Sequence, residues 1–159
     1  MVKNILHFFS NLFSLIFSKS KVPIIKKSYP TYTISGFDLS VIDEINIHRQ
    51  SKGLSTLKDG RPRCFDIAGS HVEWLNQNTT SKEDFYEKGH HYFNDRAEQI
   101  QLEVKCKNVS EVLAYGFIRP KSIVSAWNMS PKHNKILNGN YTHVVVASKN
   151  RVTLAIFTN

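Results

Sequence analysis

The residues of this chain that could do chemistry crowd into one stretch. Between Glu111 and Val146 the sequence sets a carboxylate, then an aromatic-bearing segment with Trp127, then a turn that runs from Ser130 through Pro131 to His133. A serine three residues before a histidine raises the idea of a nucleophile and its base, which requires the hydroxyl within hydrogen-bond reach of the imidazole. A serine directly before proline more often caps a turn. Neither a G-x-S-x-G elbow nor a reactive-cysteine signature accompanies it. Cys64 and Cys106 are the two cysteines, and their spacing leaves both a bridge and two buried thiols open. Composition and spacing alone therefore name no reaction.

The elements that must position these groups follow from periodicity. Leu39, Ile42 and Ile45 fall at helical spacing, with Asp38 or Ser40 as N-cap and Gly53 as the stop. Phe65, Ile67, Ala68, Val72, Trp74 and Leu75 predict a second helix that ends near the polar cluster Asn76–Thr80. A third is expected between Lys82 and Ile100, interrupted around Gly89. Leu102, Val104 and Cys106 alternate with Glu103 and Lys105, which predicts a half-buried strand leading to Glu111. Pro120 sits where a helix begins, and Ile123, Val124 and Trp127 give that helix its apolar side. Tyr141–Ser148 and Val152–Phe157, separated by Lys149–Arg151, read as a β-hairpin. Helices first and strands mainly late describe an α+β domain, with helices packed against an antiparallel sheet.

With 159 residues there is room for one core. The net charge of +8 and pI near 9.5 invite a nucleic-acid reading, but five lysines precede Ser28 with no acid among them, and subtracting those five from +8 leaves +3. No aromatic-basic repeat or nucleic-acid motif accompanies the charge, so nucleic acid is not expected as a partner. The charge is polarised instead. All thirteen acids lie at or before Glu111, and the tail beyond it carries six Lys and Arg. Residues 1–18, MVKNILHFFSNLFSLIFS, have the short basic start and apolar stretch of a signal peptide or uncleaved anchor. Their polar residues also repeat every three or four positions, as in an amphipathic helix lying in a membrane interface. Residues 19–37 read as a basic linker and 38–159 as the folded domain, so the chain is expected outside the cytoplasm, secreted or attached to a membrane surface through residues 1–27.

A series of ordered pieces resembles one known family. Asn46, His48, Arg49, Gly53, Leu54 and Leu57 fit a first-helix pattern N-x-H-R-x-x-x-G-L-x-x-L, and Ala68, His71 and Trp74 fit A-x-x-H-x-x-W. His90, Phe93 and Arg96 fit H-x-x-F-x-x-R, while Glu111, Ala114 and Gly116 fit E-N-x-A-x-G with Val112 replacing the asparagine. Trp127 with Ser130–Asn134, and Asn140–Val146 after it, resemble a W-x-x-S-P-x-H turn and its following strand. From about residue 39 onward the chain thus resembles the CAP/SCP-like family, which groups cysteine-rich secretory proteins, antigen 5, pathogenesis-related class 1 proteins and bacterial relatives. The resemblance implies a three-layer α-β-α sandwich around a small antiparallel sheet.

It also implies a cleft. In the family two histidines and two glutamates line it and hold a divalent metal ion. Here His90, with His91 beside it, fits the first histidine, Glu111 the first glutamate, and His133 the histidine of the bacterial turn, while Ser130 and Asn140 stand where the eukaryotic pattern has the second glutamate and histidine. His90, Glu111 and His133 would be a weak zinc set with a position open to water, or a hydrogen-bonded trio needing no ion. The family layout also brings Cys64 and Cys106 together as a disulfide candidate. His48 and His71 read as structural histidines, Arg49 and Arg96 as helix-surface or loop-anchoring groups, and Trp74 and Trp127 as core. Three functions follow as expectations: a non-enzymatic extracytoplasmic module binding a small-molecule, lipid or peptide ligand, with no cofactor required; a metal-dependent, peptidase-like hydrolase using the same cleft; or a membrane-attached structural protein whose cleft is vestigial.

Overall fold

The computed structural model describes residues 27–159. The features expected at residues 1–18, and the first part of the linker, 19–26, lie outside the described residues.

Residues 27–35 lie on the domain rather than standing off from it. The Tyr32 hydroxyl donates to Asp38 Oδ2 at 2.9 Å and accepts the Ser148 backbone N–H at 2.8 Å. Arg63 donates to the carbonyls of Lys27 and Tyr29 at 2.7 and 3.2 Å. Helix α1 spans Gly36–Ser51, and its N-cap is Ser35. The serine hydroxyl accepts from the Asp38 N–H while the Asp38 carboxylate accepts from the Ser35 N–H, so Asp38 is the third residue of a capping box and not the cap expected. Val41, Ile42 and Ile45 are buried and Leu39 is exposed, which moves the apolar stripe by part of a turn. The helix ends before Gly53, whose φ of +71° suits a residue without Cβ.

A short strand β1, Lys58–Asp59, leads to α2, Pro62–Asn78, which opens on the proline. The third expected helix is two: α3, Lys82–Lys88, and α4, Phe93–Val104, separated by a turn in which Tyr92 is left-handed at φ 58°. The strand expected at 102–106 is absent. Leu102 and Val104 form the last turn of α4, and Lys105, at φ 52°, caps it. Alternation over five residues fits either element, and here the helix continued because it packs against α2. Strand β2 is Val109–Tyr115, followed by α5, Pro120–Met129, and α6, Pro131–Leu137. Strands β3, His143–Lys149, and β4, Val152–Thr158, close the chain as the hairpin expected.

The sheet order is β1-β3-β4-β2, antiparallel except for the parallel β1–β3 pair. Every residue of β4 is buried, which requires cover on both faces of the sheet. Helix α2 packs on β3 and β4, α4 on β2, and α1 on β3 and α5. The molecule is therefore the α+β, layered arrangement expected. Trp127 is fully buried, and its indole N–H donates to the Leu113 carbonyl at 2.8 Å, tying α5 to β2.

Candidate functional site

Glu111 lies in β2, paired in register with Ile156, and its side chain is 2% exposed. A carboxylate so placed must be paired or protonated. Helix α4 supplies the partner. Arg96 Nη2 donates to Glu111 Oε1 at 2.7 Å and Arg96 Nε to Oε2 at 3.2 Å, a bidentate grip by a side chain that is itself 5% exposed. His90 Nδ1 meets Glu111 Oε1 at 2.9 Å from the turn before α4.

The other side of Arg96 is equally committed. Its Nη1 donates to His71 Nδ1 at 3.0 Å and to the His91 carbonyl. An arginine N–H can only donate, so His71 Nδ1 is the acceptor and Nε2–H donates to the Gly89 carbonyl at 2.7 Å. His71 is therefore neutral, and burial followed by the Arg96 charge pushes its pKa down to about 4. Burial pushes Glu111 upward, but the His90 hydrogen bond and the Arg96 guanidinium outweigh it and hold the carboxyl below its ordinary range. Trp74 is stacked on His71 at a ring separation of 5.8 Å and on His91 at 5.6 Å, so α2 and the 89–92 turn are fastened together.

His133 lies in the first turn of α6. Burial, then the charges of His90 and Lys132, lowers its pKa. Ser130 starts α6 through its carbonyl, which accepts the Asn134 N–H at 2.8 Å; its hydroxyl makes no cap, and no hydrogen bond joins it to His133. Asn140 is elsewhere: it lines a separate cavity with Ser110, Tyr141 and Asn159. Thus the structure joins His90 to Glu111, gives His133 no hydrogen bond to either, and leaves Asn140 at another cavity. Among the described residues no three His, Cys, Asp or Glu side chains group as a metal site. Cys64 and Cys106 line one cavity with His143, yet both are free thiols, so the bridge suggested by the resemblance is not formed. Cys106 lies in the loop after α4 and not on the strand that was to carry it.

Arg96 is the residue that sequence reasoning misplaced. It carries no acid three or four positions away on its own helix, where Tyr92, Phe93, Gln99 and Ile100 stand. That absence does not say where the side chain lies, since an arginine without a helical partner is equally at home in water, so no local signal pointed to Glu111. Arg49 matches the expected loop anchor, donating to the carbonyls of Ser55, Leu137 and Gly139 at 2.9, 2.7 and 3.0 Å. His48 bonds Asn138 at 3.1 Å.

No protein-family model matches the sequence, and no curated protein is significantly similar to it. Solved structures do match. A cysteine-rich secretory protein from Staphylococcus aureus superposes with a TM-score of 0.63 at 16% identity, over 83% of this chain and 41% of that one. An extracellular protein containing an SCP domain from Bacillus anthracis gives 0.64 at 21% identity, over 78% of this chain and 40% of its own. An outer surface protein from Borrelia burgdorferi gives 0.62 at 19% identity, over 82% and 98%. This chain thus spans about two fifths of the first two neighbours and nearly all of the third. No helix among the described residues is long and apolar enough to cross a membrane. With the element order, the covered four-stranded sheet and the His90–Glu111 contact, these neighbours show that the chain has the CAP/SCP fold.

Proposed function

We propose that the chain is a non-enzymatic, extracytoplasmic ligand-binding module. The observation that carries this reading is the occupation of Glu111. Both carboxylate oxygens are taken by Arg96, and one also by His90. A carboxylate so held is a weak metal ligand and a weak general base, because the guanidinium charge lowers its basicity and three of its roughly four lone-pair sites are already filled. The metal-dependent hydrolase is the weaker reading for that reason.

The same grip suits recognition. The Glu111 carboxylate accepts from His90 Nδ1–H, which leaves Nε2 free to meet a ligand on a side chain that is 56% exposed. The buried Arg96–Glu111 pair fixes the ring. A small-molecule or peptidic ligand that hydrogen-bonds to the exposed ring edge is the occupant this arrangement suits. Calorimetric titration with zinc chloride, alongside peptidase and esterase assays, tests the proposal. Weak zinc binding lost on dialysis and no turnover are expected. Submicromolar binding abolished by His133→Ala, with metal-dependent turnover, would establish the hydrolase instead.

A further inference from the structure

Strand β2 ends at Tyr115, and the chain then turns at Gly116, whose φ is +87° and whose N–H donates to the Arg151 carbonyl at 2.8 Å. The turn leaves Phe117, Ile118 and Arg119 as a loop before Pro120 opens α5. Ile118 is 81% exposed and Phe117 36%, and Met129 at the far end of α5 is 80% exposed. Folding gains little from apolar side chains held in water, so three along one short edge need another reason. Phe117 and Met129 line one shallow groove with Lys121, Ser122, Ser125 and Ala126.

The charges that the edge itself carries have one sign. Arg119 and Lys121 flank the loop, Lys132 follows Met129, and Arg151 belongs to the turn that bonds Gly116. None of these four forms an ion pair among the described residues, whereas Lys149 in the same tail is paired with Glu73. No acidic side chain follows Glu111.

We propose that the 117–132 edge docks on the surface of an anionic lipid bilayer. Apolar side chains standing out between cations match a membrane interface: the side chains enter the headgroup and acyl boundary while the cations stay among the phosphates. A second copy of the chain would set the same cations against each other. An acidic peptide would neutralise the charge but would leave Ile118, on the loop and outside the groove lining, uncovered. From Ile118 to Met129 the edge runs about 15 Å along the helix, which spans several headgroups.

The test uses the full chain and vesicles of phosphatidylcholine alone or mixed equally with phosphatidylglycerol. The lysines before Ser28 could bind such vesicles by themselves, so the reporter is placed at the edge: in Ile118→Trp the new indole should shift its emission to shorter wavelength with the anionic vesicles only, and the shift should fade in high salt. In co-sedimentation, Ile118→Ser with Met129→Ser, and separately Arg119→Ser with Lys121→Ser, should each weaken binding roughly tenfold. All four positions are exposed, and circular dichroism would confirm that the variants fold. An unmoved Ile118→Trp emission while the chain still pellets would overturn the proposal, as would serine variants that bind like the parent. So would a concentration-dependent dimer lost in the Ile118→Ser, Met129→Ser variant, or binding to polyglutamate that matches binding to vesicles.

Discussion

Replacing Arg96 by methionine should be among the most costly substitutions in this domain. The change leaves Glu111, with a side chain 2% exposed, dependent on His90 alone, and it removes the donor that serves His71 Nδ1 and the His91 carbonyl. Breaking a buried ion pair from one side costs about 3–5 kcal/mol. Two orphaned acceptors add on the order of 1 kcal/mol each. Glu111 can relieve part of this by taking up a proton, so about 4 kcal/mol at neutral pH is the expected loss, a large share of ordinary domain stability. The relief has a signature: the penalty should shrink as the pH falls toward the carboxylate range. Glu111→Leu alone strands the arginine and should cost about as much. The double variant removes both charges and replaces them by apolar side chains, so it should be more stable than the sum of the singles predicts by about 3 kcal/mol. Urea unfolding of the four proteins at pH 7 measures every term. A loss below about 1 kcal/mol for Arg96→Met, or a cycle additive to within about 0.5 kcal/mol, would refute the reasoning.

Three further outcomes are expected. His71 has an ordinary value of 6.5 and is held near 4, so between those pH values the unfolded chain binds a proton that the native state does not; stability should fall as pH drops from 6.5 to 4, by on the order of 3 kcal/mol, and a His71→Gln variant followed by urea titration should lose most of that slope. Gly69 allows Tyr32 to lie on α2, since a Cβ there would come within 2.2 Å of the tyrosine ring; Gly69→Ala should cost about 2 kcal/mol in thermal unfolding and speed hydrogen exchange at the Ser148 N–H that Tyr32 accepts. Burial raises the Cys64 thiol to about 11 and also raises the less buried Cys106, so timed alkylation read by peptide mass spectrometry should label Cys106 first, and equal rates would contradict the placement.

Local chemistry determined much of this protein without help from the fold. Prolines at 62, 120 and 131 open helices because a ring that fixes φ and lacks N–H suits the first helical position. The apolar runs around Lys149–Arg151 could bury themselves only as a paired hairpin. The motifs from Asn46 to Val146 indicated the CAP/SCP arrangement, and hence the meeting of His90 with Glu111, which the structure shows at 2.9 Å. Other features had no local sign. Leu102 and Val104 alternate like a strand, and only packing against α2 made them the end of a helix. The Ser35-x-x-Asp38 spacing did carry the capping box of α1, but only the tertiary structure shows that the same carboxylate serves Tyr32 and, from 110 residues away, the Ser148 hydroxyl. The role of Arg96 was decided last. A lone arginine on a helix reads the same in water or in the core, and its environment depends on which element packs over it. Here that element is β2, fifteen residues on, which carries Glu111 into a dry layer where the two charges have no other partner strong enough to replace the water they gave up.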